Sequence, residues 1–116
     1  MKSKVYHLPV RIYYEDTDHS GFVYYANYLK FFERAREHVL EPEQLAKMWQ
    51  EQQIGYAVYS ANIKYNEGCI FGDILDIRST FELVGAYKIL WRQEAWKLEG
   101  AKPAVAADIE LVCLDA

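Results

Sequence analysis

Hydrophobic and polar residues alternate with period two over most of the second half of the chain. Ala57, Tyr59, Ala61, Ile63 and Tyr65 fall on one face, and Val58, Ser60, Asn62 and Lys64 on the other. Leu75, Ile77, Phe81 and Leu83 alternate with Asp76, Arg78, Thr80 and Glu82, and Val105, Ala107, Ile109, Leu111 and Cys113 repeat the pattern. Such alternation predicts strands with one buried face. Residues 87–98, carrying Ile89, Leu90, Trp91 and Trp96, are expected to form a strand buried on both faces. An extended opening spans residues 5–14, interrupted by Pro9. Between this opening and the strands the period changes. Leu29, Phe32, Ala35, Val39 and Leu40 recur at spacings of three and four, with Asn27 placed to cap a helix. Pro42 should end that helix or open a second short one, in which Leu45, Met48, Trp49 and Gln52 continue a stripe to Gly55. Turn residues separate the strands at 66–68, 85–86 and 99–103. The order predicts an α+β fold in one domain, residues 1–116, with a long helix packed against a mostly antiparallel five-stranded sheet.

Composition narrows the function classes. The 116 residues are 52% hydrophobic and 26% charged, enough apolar side chain for a folded core. Thirteen Lys and Arg against 17 Asp and Glu give a net charge of -4. A nucleic-acid partner would call for a basic excess or stripe, and neither is present. No apolar run approaches the ~18 residues of a membrane helix. No apolar segment follows the charges of Met1 to Pro9, so a cytoplasmic setting is expected. Cys69 and Cys113 form no CxxC pair and read as reduced, buried small hydrophobes. Ten tyrosines raise the aromatic content to 16%, a load suited to sheets and subunit seams, which points to an oligomer.

The three histidines, His7, His19 and His38, do not fall at metal-ligand spacings, and GxSxG, HExxH and Gly-rich phosphate motifs are absent from the sequence. What remains is the acidic turn before the helix, Asp16-Thr17-Asp18-His19-Ser20-Gly21. Its D-x-D-x-S-G spacing opens a calcium loop, but the twelfth position, where a bidentate Glu is required, is Asn27, and the preceding segment is strand-like. A second reading sets a carboxylate beside a helix N-terminus, whose unpaired N–H groups would polarise a bound carbonyl. The Asp could then attack that carbonyl or activate a water to do so. A third leaves Asp16 and Asp18 simply holding the turn and capping the helix.

The run from Tyr14 through Asp16-Thr17-Asp18-His19-Ser20-Gly21-Phe22-Val23-Tyr24-Tyr25-Ala26-Asn27-Tyr28, followed by Phe32-Glu33-Arg34-Ala35-Arg36, resembles the 4-hydroxybenzoyl-CoA thioesterase family. Within it the likeness is greatest to the acyl-CoA thioesterases associated with the Tol-Pal cell-envelope system. It extends from Val10-Arg11 to the last strand and includes Gly72-Asp73. The resemblance implies a hot-dog fold paired into homodimers or homotetramers, and hydrolysis of acyl-CoA thioesters without metal or other cofactor. It places the catalytic carboxylate at Asp18 and the oxyanion-binding backbone N–H at Tyr25, and it leaves Asp16 as an acceptor for turn N–H groups. Many of the Tol-Pal-associated relatives carry His where this chain has Tyr25, so a His-assisted step does not transfer. The family usually runs on through a short Pro-containing tail where this sequence ends at Ala116.

The resulting expectation is an acyl-CoA thioesterase acting on short-chain or aromatic substrates. One rival is a hot-dog module that binds acyl-CoA or a protein without turnover. Another is dehydratase chemistry on β-hydroxyacyl thioesters, which in this fold relies on a His, and only His19 lies near the helix start. Lys64, Arg78, Lys88 and Arg92 are candidates for the CoA phosphates, and pairing of two subunits is expected to complete the cleft.

Overall fold

The computed structural model describes residues 2–39, 50–51, 54–85 and 87–115. Strands β1 (Tyr6–Arg11), β2 (Ile54–Tyr65), β3 (Ile74–Val84), β4 (Lys88–Lys97) and β5 (Val105–Asp115) form one sheet in the order β1-β3-β4-β5-β2, with every neighbouring pair antiparallel. Helix α1 (Asn27–Val39) lies across one face of it, as the two periodicities require. Pro42 and the stripe residues Leu45, Met48, Trp49 and Gln52 lie outside the described residues.

The helix buries Tyr28, Phe31, Phe32 and Ala35. Leu29, expected on that stripe, is exposed. Both arrangements share Phe32 and Ala35, and the larger ring of Tyr28 takes the buried place in the first turn because it removes more apolar area from water. Beneath the helix the core consists of Ile12, Val23, Leu75, Ile77, Trp91, Val105, Ile109 and Leu111, interleaved with the small residues Ala95, Ala104 and Ala107.

Two expectations about the strands need correction. Strand β4 is buried on one face only: Trp91, Gln93 and Ala95 face the helix, whereas Lys88, Leu90 and Arg92 are exposed on the other. Strand β2 does not keep strict alternation. Val58 pairs with Leu111 and Ser60 with Glu110, so Tyr59 is an extra residue in a bulge. Beyond the bulge Val58 and Tyr56, rather than Ala57, share the face of Ala61, Ile63 and Tyr65. One inserted residue flips every side chain on one side of it.

Gln93 is a polar residue at the centre of the core, 0% exposed. Its amide nitrogen donates to the Phe32 carbonyl (2.9 Å) and to Ser79 Oγ (3.0 Å), and its Oε1 accepts from Arg36 Nη1 (2.9 Å). This network ties the middle of α1 to β3 and β4, and so fixes where the N-terminus of the helix lies.

Candidate active site

The chain between β1 and α1 is pinned at both ends. Ile12 N–H donates to Asp73 O (2.8 Å) and Gly72 N–H donates to Ile12 O (3.0 Å), in a loop where Gly72 has a φ of 92°. A single 3-10 turn, Tyr14–Asp16, follows. The Asp16 carboxylate accepts the Tyr13 N–H (2.8 Å), the turn-holding role expected of it. Thr17 and Val23 then pair, closing a small loop in which Asp18 N–H donates to Phe22 O and Gly21 N–H to Asp18 O, both at 3.0 Å. Gly21 has a φ of 90°, a conformation that a side chain would oppose.

Within this loop Asp18 Oδ1 accepts from the Ser20 N–H (2.9 Å) and from the Ser20 hydroxyl. Asp18 Oδ2 has no partner among the described residues. The Ser20 hydroxyl bond, then its N–H, and to a lesser degree the charge of His19 hold the Asp18 carboxyl below the usual Asp value. The group is exposed and ionised at neutral pH.

The loop is tied to the helix start through one carbonyl. Asp16 O accepts from both Tyr24 N–H (3.0 Å) and the Asn27 side-chain amide (2.9 Å). Asn27 is therefore the first helical residue and reaches backwards, in place of the capping role expected of it. Its own N–H donates to Tyr24 O (2.9 Å). In a trans peptide C=O and N–H point in opposite directions. With Tyr24 O turned toward the helix, the Tyr25 N–H of the same peptide points away from it, and no acceptor lies on that N–H among the described residues. An ionised carboxylate with a free oxygen thus shares a short, heavily cross-tied segment with a free N–H at the positive end of a helix.

Aromatic rings surround this segment. Tyr25 packs against Tyr24 (centroids 5.0 Å apart) and edge-on against Tyr65 (6.1 Å), while Tyr14 meets Phe71 (6.1 Å). Several rings are open to solvent, Tyr14 at 79%, Tyr25 at 61% and Phe71 at 60%. Tyr65, which the sequence marks only as an inward strand residue, also donates its hydroxyl to Tyr25 O (3.2 Å).

The structure does not bring the four candidate cations to the turn. All four lie on the sheet face opposite the helix, and three are engaged there. Arg78 Nε pairs with Asp76 (3.0 Å) and its guanidinium stacks over Trp96 (4.1 Å). Arg92 bridges Glu94 (3.2 Å) and Asp108 (3.0 Å), and Lys88 lies 4.0 Å from Glu110. Lys64 has no such partner among the described residues. His7 pairs with Asp76 (2.9 Å). It lines a cavity of about 50 Å³ with His38 and Val39, at the far end of α1 from the acidic turn. His19 is exposed. No described helix is long and apolar enough to cross a membrane.

Comparison with known proteins shows the family and the fold. The thioesterase superfamily pattern matches residues 20–104. The acyl-CoA thioesterase YbgC of Haemophilus influenzae is 34% identical over 109 residues, covering 92% of this chain and 79% of its own. The crystal structure of a probable thioesterase from Bartonella henselae superposes with a TM-score of 0.85 at 26% identity, covering 97% of this chain and 93% of that one. A 4-hydroxybenzoyl-CoA thioesterase variant complexed with 4-hydroxybenzoyl-CoA shares the fold, with a TM-score of 0.85 at 19% identity and coverage of 96% and 84%. One helix held by five antiparallel strands is the hot-dog arrangement common to these structures, and with a family match over most of its length the chain belongs to the thioesterase superfamily.

Proposed function

We propose that the whole of residues 1–116 works as one thioesterase domain that hydrolyses short-chain or aromatic acyl-CoA to the free acid and CoA. The observation that carries the proposal is that one short segment holds both the ionised Asp18 carboxylate, one oxygen fixed by Ser20, and, at the start of α1, the Tyr25 N–H, which has no acceptor among the described residues. The N–H receives the thioester oxygen and stabilises the charge that develops there. Asp18 either adds to the carbonyl carbon, expelling CoA thiolate and leaving an acyl-aspartyl anhydride for water to open, or takes a proton from the attacking water. A thiol of ordinary pKa, about 8.5, departs readily as thiolate, so the leaving group needs no strong acid beside it. The names of the curated relatives support acyl-CoA as substrate, and the open rings of Tyr14, Phe22, Tyr25 and Phe71 supply apolar surface for an acyl group.

The protein acts in this reading as a cytoplasmic homodimer or homotetramer. The twelve-residue strand β2 has β5 on one side and, among the described residues, no strand on the other. Such an edge together with exposed rings suits a subunit seam, and a partner's cations would reach phosphates that the protomer's own do not. The test is to trap thiol released from a panel of acyl-CoAs by wild type and by Asp18→Asn. Asn keeps the size and folding of the loop but removes the charge, so turnover is expected to fall by about 10²–10⁴ with an unchanged fold. Turnover within a few-fold of wild type would remove Asp18 from the mechanism. Acyl-CoA binding without any thiol release would leave the binding-module reading.

A further inference from the structure

We propose that Tyr65 is a positioning residue for the oxyanion donor: from the end of β2 its hydroxyl holds the Tyr25 carbonyl in the peptide after Tyr25, and so limits backbone rotation at the residue whose N–H, in the peptide before it, receives the oxyanion. The proposal rests on the thioesterase reading of the site given above.

Tyr25 lies between two peptide units, and each is oriented by a contact from a different part of the fold. On its N-terminal side, Tyr24 N–H is bound to Asp16 O and Tyr24 O to Asn27 N–H. On its C-terminal side, Tyr25 O precedes the helical hydrogen-bond ladder and has no backbone partner among the described residues. Its partner is Tyr65 OH at 3.2 Å, forty residues along the chain. The two rings also meet edge-on at 6.1 Å, and the Tyr65 ring leans on the buried Tyr28 at 5.9 Å. Tyr28 belongs to the core beneath α1. The hydroxyl is thus presented by a ring with two aromatic supports, one of them rigid.

Burial pushes the Tyr65 phenol above its ordinary value, so it remains a neutral donor throughout the neutral range. At 3.2 Å the bond is long for an O–H donor, and its contribution is orientation more than binding strength. An N–H donor that drifts from the place where the oxyanion forms loses transition-state stabilisation and leaves ground-state binding almost untouched. That predicts an effect on kcat and little on KM.

The decisive variant is Tyr65→Phe, which keeps the ring and both aromatic contacts. Tyr59→Phe, on the bulge of the same strand, is the control. We expect kcat to fall about three- to tenfold with KM within about twofold, a melting temperature within a few degrees of wild type, and no change for Tyr59→Phe. The Tyr25 backbone amide resonance of Tyr65→Phe should shift or broaden while those of β3 and β4 remain in place. Wild-type kcat together with an unmoved Tyr25 amide would overturn the role of Tyr65 and leave the thioesterase assignment standing, provided Asp18→Asn is inactive in the same assay. A parallel rise in KM and loss of melting temperature would make Tyr65 a structural residue only and would also overturn the proposal. Wild type that hydrolyses no acyl-CoA would overturn both.

Discussion

Replacing Gln93 by Leu tests whether the buried network sets the position of α1. Leu has similar volume and no polar atoms, so the change deletes three hydrogen bonds without opening a cavity. Two are neutral, to Phe32 O and Ser79 Oγ, and one comes from the Arg36 guanidinium. Net values of about 1 kcal/mol for each neutral bond and about 2 for the charged one, less about 1 for the apolar area that Leu buries, give a loss of about 3 kcal/mol. With an unfolding entropy of about 2.1 cal/mol/K per residue, a chain of this length should lose about 12 °C in Tm. The assay is thermal and urea unfolding at fixed protein concentration, since oligomerisation makes Tm concentration-dependent. Burial already pushes the Arg36 pKa down, so a large share of the loss comes from leaving this charge without its acceptor. Adding Arg36→Met to Gln93→Leu should therefore recover stability. A fall of less than about 3 °C for the single variant, or a double variant whose losses simply add, would refute the argument.

Ser20→Ala removes the largest influence depressing the Asp18 carboxyl, so the acid limb of the kcat/KM profile should move up toward the ordinary Asp value near 4; an unmoved limb would separate Asp18 from that ionisation. Calcium should leave Tm unchanged, because Asp16 and Asp18 are engaged by Tyr13 and Ser20 and Asn27 reaches back to Asp16 O; a clear rise would revive the calcium-loop reading. Specific activity should fall on dilution in step with sedimentation-measured dissociation, and a fully active monomer would show that one protomer suffices. Arg92→Gln should leave KM unchanged for acyl-CoA and for acyl-pantetheine alike, because Arg92 already bridges Glu94 and Asp108; a rise for acyl-CoA alone would show that this pairing does not keep it from the phosphates.

The sheet was legible because its strands bury one face, and that demand writes itself into the chain as alternation at Leu75–Leu83 and Val105–Cys113. Where a polar residue takes an inward place the pattern fails. Gln93 carries no sequence mark of its partners, which lie on α1 and β3. The bulge at Tyr59 was hidden for a different reason. Residues on both sides of it alternate correctly by themselves, and only pairing with β5 shows that one is supernumerary. At the site, local chemistry marked the acidic turn of residues 16–21 without separating Asp18 from Asp16, and the resemblance to the thioesterase family pointed to Asp18. Tyr65 carried no such mark, since a tyrosine that holds a distant carbonyl and one that merely fills a strand read alike.

An exposed carboxylate and an exposed N–H do little chemistry in bulk water, where a dielectric constant near 80 weakens both their attraction for charge and their orientation of substrate. In the single protomer Asp18 and Tyr25 are both open to solvent, and the rings of Tyr14 and Phe71 stand uncovered beside them. Drying the site requires a surface laid over those rings. Binding CoA adds a second requirement, because the phosphates need positive charge, and Arg78, Lys88 and Arg92 are held by carboxylates on the opposite sheet face. A second copy added along the outer edge of β2, next to Tyr65 and hence next to the helix start, would supply cover and bring further side chains to the same mouth. One assembly step would then meet both requirements, and under the proposal above Tyr65 would stand where such a seam and the oxyanion donor meet.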